Sequence, residues 1–153
     1  METRNDATVA VNRRARHDYD ILETLDAGLV LTGSEIKAIR EGHANIREAY
    51  VRVEGREAWV LNMHIAPYSR AGYTSHDPTR RRKLLLHHDE IGRIAGAQDQ
   101  KGLTIVPLRL YMTRGIAKLE IGVARGRKTY DKREAIAKRE AERQIARAMR
   151  HRA

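Results

Sequence analysis

Apolar residues recur at every second position along much of the chain, the spacing of antiparallel strands that bury one face. Tyr19, Ile21 and Leu25 form one such series, Asp26-Ala27-Gly28 reads as a tight turn, and Leu29-Val30-Leu31 opens a second strand. Ala49, Val51 and Val53 alternate with Glu48, Tyr50 and Arg52, and Glu54-Gly55-Arg56 turns the chain. Residues 58–65 return with Trp59, Leu61, Met63 and Ile65 on one face, which places Trp59 in the core or at its rim. Arg80-Arg81-Arg82-Lys83 runs into Leu84-Leu85-Leu86 as a further strand, its basic start either a solvated edge or a phosphate-contacting one. A closing hairpin joins residues 103–112, where Pro107 implies an edge or a bulge, to Ala117, Leu119, Ile121 and Val123 through Thr113-Arg114-Gly115.

Two short helices interrupt this pattern. Thr32-Gly33-Ser34-Glu35 has the hydroxyl-to-Glu spacing of a capping box. Ile36 and Ile39 then share a face, Lys37, Arg40 and Glu41 point out, and Gly42 stops the helix. The second covers residues 89–95, with Ile91, Ile94 and Ala95 inward and with Gly96 and Gly102 bracketing a loop. A long loop spans residues 69–81. Six or seven short antiparallel strands with few helices are best closed into a barrel, because closure removes exposed edges. The expected fold is therefore mainly β: an antiparallel barrel of oligonucleotide-binding type over residues 12–124. Residues 1–11, without periodicity, are expected to be a flexible arm, and residues 125–153 a basic tail.

With 153 residues, 41% of them apolar and no Phe, the chain can fill one small core of Ile, Leu and Val. Zero Cys excludes disulfides and thiol chemistry and fits a reducing compartment. No apolar run approaches the roughly 18 residues of a membrane span. The N-terminus also lacks the apolar block of a secretion signal, so a cytoplasmic protein without a membrane partner is expected. Charge alters the picture most at the C-terminus. Residues 125–153 hold eleven Lys or Arg against four Asp or Glu, +7 of the formal net charge of +10. Such a segment favours a polyanion, since each phosphate contact releases counterions. From Asp131 on it is rich in helix formers, yet its large apolar residues are only Ile136, Ile145 and Met149. It is expected to be disordered when free and helical when bound.

Catalytic constellations are missing. His87-His88-Asp89-Glu90 are adjacent, and adjacent side chains point apart rather than converge on one ion. Asp89 and Glu90 suit a first helical turn, where the helix dipole favours acids. The chain has no phosphate-cradling Gly loop, no HExxH and no GxSxG. The expectation is a binding protein and not an enzyme, with no cofactor and no metal. The rival readings are a general basic RNA-binding protein and a metal-dependent nuclease.

Several long motifs then occur in order. They are Asn12-Arg-Arg-Ala-Arg-His-Asp-Tyr19, Asp26-Ala-Gly-Leu-Val-Leu-Thr-Gly33 with Glu35-Ile-Lys37, Arg82-Lys-Leu-Leu-Leu86, Ile121-Gly-Val-Ala-Arg-Gly126 and Tyr130-Asp-Lys-Arg133. Together they resemble the bacterial tmRNA-binding (SsrA-binding) protein family, from about Asn12 to the C-terminus. The resemblance implies a barrel with three helices that binds the tRNA-like domain of transfer-messenger RNA and brings it to stalled ribosomes. It implies a tail that probes the vacant mRNA path and decoding centre of the small subunit, so that nascent chains are tagged for degradation. A monomer is expected. The tmRNA-binding residues so implied are Asn12, Arg13, Arg16, His17, Asp26, Lys37, Arg82, Lys83, Leu85 and His87. Asp26 stands where the family has Glu, and His87 where it often has a polar residue such as Asn. The ribosome-facing tail residues are Arg125, Arg127, Lys128, Tyr130, Asp131, Lys132, Arg133, Lys138 and Arg139, with Tyr130 offering a face for stacking on an RNA base.

Overall fold

The computed structural model describes residues 6–67, 76–126 and 139–149. The elements run β1 (Asp6–Val11), α1 (Arg13–Asp18), β2 (Tyr19–Leu29), α2 (Gly33–Arg40), β3 (Ala44–Asn45) and β4 (Tyr50–Glu54). Then follow β5 (Glu57–Leu61), β6 (His64–Ile65), β7 (Arg82–Leu85), α3 (His88–Gln98), β8 (Leu103–Thr113) and β9 (Ile116–Gly126). Hydrogen bonding links β8, β4, β5, β7, β2 and β9 in turn, and β9 pairs back onto β8, so these strands close into an antiparallel barrel. β1 lies outside the ring on β8, and β3 and β6 form a separate ribbon.

Alternate residues of the strands fill the interior. Leu25, Ala27, Val51, Val60, Leu84, Ile105, Leu110, Leu119 and Ile121 are all buried in one cluster, joined by Ala38 and Ile39 of α2 and Ile94 of α3. The seam between β4 and β8 is thin, a single pair at Val51 and Ile105. There the Gln98 amide acts as a substitute strand: its Oε1 accepts from the Val53 N–H at 2.7 Å and its Nε2 donates to the Val53 carbonyl at 3.1 Å.

Local chemistry accounts for the turns. Gly55 (φ 63°) opens the two-residue β4–β5 connection, and Arg114 (φ 51°) with Gly115 (φ 76°) gives the doubly left-handed turn that matches hairpin twist between β8 and β9. The capping box at Thr32 and Glu35 is complete. Pro107 sits at a register shift in β8, as its missing N–H demands.

Four expectations change, and residues 13–18 supply the third helix that the resemblance implies. Residues 6–11 of the expected flexible arm are a strand. A register shift between Thr8 and Ala10 lets Val9 and Ala10, neighbours in sequence, both pack on the core, and this erases the period of two. Residues 13–18 are a helix, too short for a stripe because Ala15 is its one buried residue. Asp26-Ala27-Gly28 is no turn but lies within β2, near its end, paired to β9 on one side and, at Gly28, to β7 on the other. In β5 the buried residues are Ala58 and Val60, and Trp59 lies on the outer face under the Arg81 guanidinium, 4.1 Å from its ring centroid. Asn62, with φ 63°, reverses the phase so that Met63 and Ile65 turn inward. Finally, α3 runs through Gly96 to Gln98, which frees the Gln98 side chain to clip β4.

Candidate nucleic-acid interface

The outer face of β8, β9 and β2 is organised by parity. On β9, Ala117, Leu119, Ile121 and Val123 point into the barrel, so Lys118, Glu120, Gly122 and Ala124 face outward. Their β2 partners are Gly28, Asp26, Thr24 and Ile21. Next to Gly28 on β7 stands Leu85, which is 54% exposed while Leu84 is buried. Asp26 and Leu85 thus share one face on adjacent strands, separated by a residue that has no side chain. A Cβ at Gly28 would lie 3.4 Å from the Leu85 Cβ, so glycine leaves the Leu85 side chain open to a ligand. Val30, just past the end of β2, is exposed as well.

The other end of this face is covered by α1. Ala15 packs with Val106, Leu108 and Ala124, flanked by Tyr19 and Ile21. Gly122 makes room for that packing, since a Cβ there would meet Leu108 Cδ1 at 3.0 Å and Ile21 Cγ2 at 3.1 Å. Arg13, Arg16 and His17 are exposed on α1, with His17 Nδ1 3.1 Å from Asp18 Oδ1. From Tyr19 to Asp26 the strand advances about 23 Å at 3.3 Å per residue. The basic helix and the Asp26–Leu85 patch therefore mark the two ends of one surface.

Between them, Tyr111 donates from its hydroxyl to Asp26 Oδ1 at 2.8 Å. Arg109 lies 4.2 Å above the Tyr111 ring centroid and approaches Glu120 at 3.6 Å. Nothing in the sequence marks Tyr111, which reaches Asp26 across 85 positions of chain.

Two residues expected at this interface are structural. Asn12 is buried: its side chain accepts from the Ala15 N–H at 3.2 Å as the N-cap of α1 and donates to the Pro107 carbonyl at 3.1 Å. Arg82 is wholly buried. Its Nε donates to Glu35 Oε2 at 2.7 Å, and its other nitrogens reach the carbonyls of Met63 and Pro78. A strand alternates its faces, so in the run Arg82-Lys83-Leu84-Leu85 the first and third residues must point inward. The basic run as a whole is partnered. Arg80 bonds Glu35, Arg81 meets Glu54 at 2.7 Å, and Lys83, half-buried, meets Glu57 at 2.6 Å.

Glu35 is the centre of that cluster and is fully buried. Burial alone would raise its carboxyl. The hydrogen bonds from Arg80, the Thr32 amide and Arg82, together with the Arg82 charge, outweigh burial and lower the pKa from 4.5 to about 2. Burial pulls the Arg82 guanidinium below its ordinary value, while Glu35 pushes it back up.

Lys37 is exposed on α2, and His87 is exposed as the residue capping α3. No group of three or more His, Cys, Asp or Glu side chains is placed to hold a metal ion among the described residues. No helix among them is long and apolar enough to cross a membrane. Arg125 is exposed at the end of β9, and Arg139 is exposed in a helical stretch over residues 139–149 whose described side chains are all exposed. Arg127, Lys128, Tyr130, Asp131, Lys132, Arg133 and Lys138 lie outside the described residues.

Comparison with known proteins is consistent across sequence and structure. The family model described as SmpB protein matches residues 9–151. The SsrA-binding protein of Roseiflexus castenholzii is 61% identical over 146 residues, 95% of this chain and 92% of its own. That of Desulforudis audaxviator is 50% identical over 153 residues and the full length of both. A chain of the solved structure "tmRNA-SmpB: a journey to the center of the bacterial ribosome" superposes with a TM-score of 0.66 at 49% identity, over 76% of this chain and 82% of that one.

Proposed function

This chain belongs to the SmpB protein family, and from that membership we propose how its surface divides the work of trans-translation. The protein is an RNA-binding factor that partners transfer-messenger RNA and the bacterial ribosome. It brings the tRNA-like domain of that RNA to stalled ribosomes, which are rescued as the nascent chain is tagged. It acts where those ribosomes are, in the cytoplasm.

The tRNA-like domain is assigned to the outer face of β8, β9, β2 and β7. One observation carries this: an exposed carboxylate, Asp26, and an exposed leucine, Leu85, stand side by side across a glycine, with exposed Arg13, Arg16 and His17 at the far end of the same face. The chemistry of the two ends is complementary. Arginines neutralise phosphates and position the RNA. A carboxylate repels phosphate and accepts instead from base amino groups or a ribose hydroxyl. An exposed Leu offers contact to an unstacked base or a sugar, the splayed element by which proteins recognise RNA. Exposed Lys37 and His87 are assigned as secondary contacts, and Lys83, already paired with Glu57, as a minor one beside Leu85.

The tail, residues 125–153, is assigned to the ribosome, in the vacant mRNA path and decoding centre. Its charge supports this, as does the exposure of every described side chain in residues 139–149. A helix without a covered face gains nothing from tertiary packing, so an RNA-walled partner supplies what would hold it.

A gel-shift with the tRNA-like domain under excess bulk tRNA tests the barrel assignment. Asp26→Ala and Leu85→Lys should each weaken the shift while circular dichroism stays native. Unchanged affinity in both would remove this face from the site.

A further inference from the structure

We propose that Tyr111 is a positioning residue that fixes the Asp26 carboxylate for RNA recognition. The proposal rests on the assignment of Asp26 to the RNA face. Tyr111 stands on β8 and Asp26 on β2, with β9 between them. Leu110, its neighbour, is in the core, so Tyr111 points outward; it is nevertheless only 5% exposed. A tyrosine that is buried on the outside of a barrel has been covered by its own surface neighbours. Here the cover includes Arg109, stacked 4.2 Å above the ring. Arg109 is held in turn by Glu120 at 3.6 Å and by the Thr8 hydroxyl, to which its Nη1 donates at 3.0 Å. Strands β1, β8, β9 and β2 thus feed one chain of contacts that ends at Asp26 Oδ1.

The arrangement solves a charge problem. Asp26 and Glu120 are directly opposite in the register and both face outward, and like charges so placed repel. Arg109 takes up the Glu120 charge. Asp26 receives a neutral donor instead of a cation, and Oδ2 has no hydrogen-bond partner among the described residues. A carboxylate that reads base amino or ribose hydroxyl groups needs direction as well as charge. One oxygen anchored on a buried phenol sets the plane of the group and aims the other oxygen outward.

The test is a double-mutant cycle on the full-length protein, with affinity for the tRNA-like domain measured over a range of salt. Tyr111→Phe keeps the ring under Arg109 and removes only the hydroxyl. It should weaken binding about tenfold, the order expected for a hydrogen bond to an ionised group. It should cause no further loss in an Asp26→Ala background, a coupling that a purely packing role would not produce. The slope of affinity against salt should be unchanged, since no phosphate contact is lost. The proposal is overturned if Asp26→Ala weakens binding and Tyr111→Phe does not, or if the two losses simply add. If Asp26→Ala itself binds normally, the RNA assignment of this face fails first and the role of Tyr111 falls with it.

Discussion

Two basic segments of this chain look alike in sequence and behave differently in the fold. Arg80-Arg81-Arg82-Lys83 is the densest cationic run in the barrel, yet each member faces an acid: Glu35 for Arg80 and Arg82, Glu54 for Arg81 and Glu57 for Lys83. Residues 139–149 carry Arg139, Arg143 and Arg147 on a helix whose described side chains are all exposed. The difference shows that charge density along a chain does not measure charge available to a partner. Topology decides it, by bringing acids from α2, β4 and β5 to one run, while the described side chains of the other stay exposed.

Substituting Glu35 should break the comparison most forcefully. Glu35→Ala strands Arg82 as a buried, unpaired cation, and removing one partner of such a pair costs about 3–5 kcal/mol. A denaturant melt should show it, whereas Arg139→Ala should leave the melt unchanged. A Glu35→Ala protein as stable as the parent would mean that the cluster is not a clamp.

Acid should expose the same asymmetry. The Glu35 pKa is lowered on folding, from 4.5 to about 2, so the folded state favours the ionised form. Its contribution is complete above pH 4.5 and is lost as pH falls from there toward 2. By linkage the loss is on the order of 3 kcal/mol. Stability measured against pH should fall through that window in the parent and fall less steeply in Glu35→Gln.

The smallest effect sharpens the contrast at its margin. Lys83 and Glu57 form a pair near the surface, of a kind worth at most about 1 kcal/mol. Lys83→Ala should therefore barely move the melt, and because the charge is already partnered it should weaken RNA binding less than Arg13→Ala does. A larger loss at Lys83 would show that the salt bridge opens to RNA.

Much of this was legible locally. The Thr32–Glu35 capping box, the Pro107 irregularity and the Arg114-Gly115 turn depend on residues within a few positions of one another, and each stands as its sequence implies. What stayed hidden depends on distant partners. Glu35 reads as a helix cap because its neighbour Thr32 explains it, while its ion pair with Arg82 joins residues 47 apart. Single irregular residues also shift the period of two. Asn62, just after β5, reverses the phase so that Met63 and Ile65 face in while Trp59 faces out, and the shift at Val9 disguises β1 as an arm. Within the site, Asp26 and Leu85 were visible as motif residues. Their adjacency waited on the register that pairs Gly28 with Leu85, and Asn12, which also carries the motif, turned out to cap α1.

The central claim is that barrel and tail bind different RNAs. The barrel is closed by Gly126, and both core clusters lie within it. The most direct measurement compares a chain ending at Gly126 with the full protein, for affinity to the tRNA-like domain and for tagging on stalled ribosomes. The account predicts that the shortened chain keeps most of its affinity and loses tagging. A shortened chain that loses the RNA, or one that still tags, would contradict it.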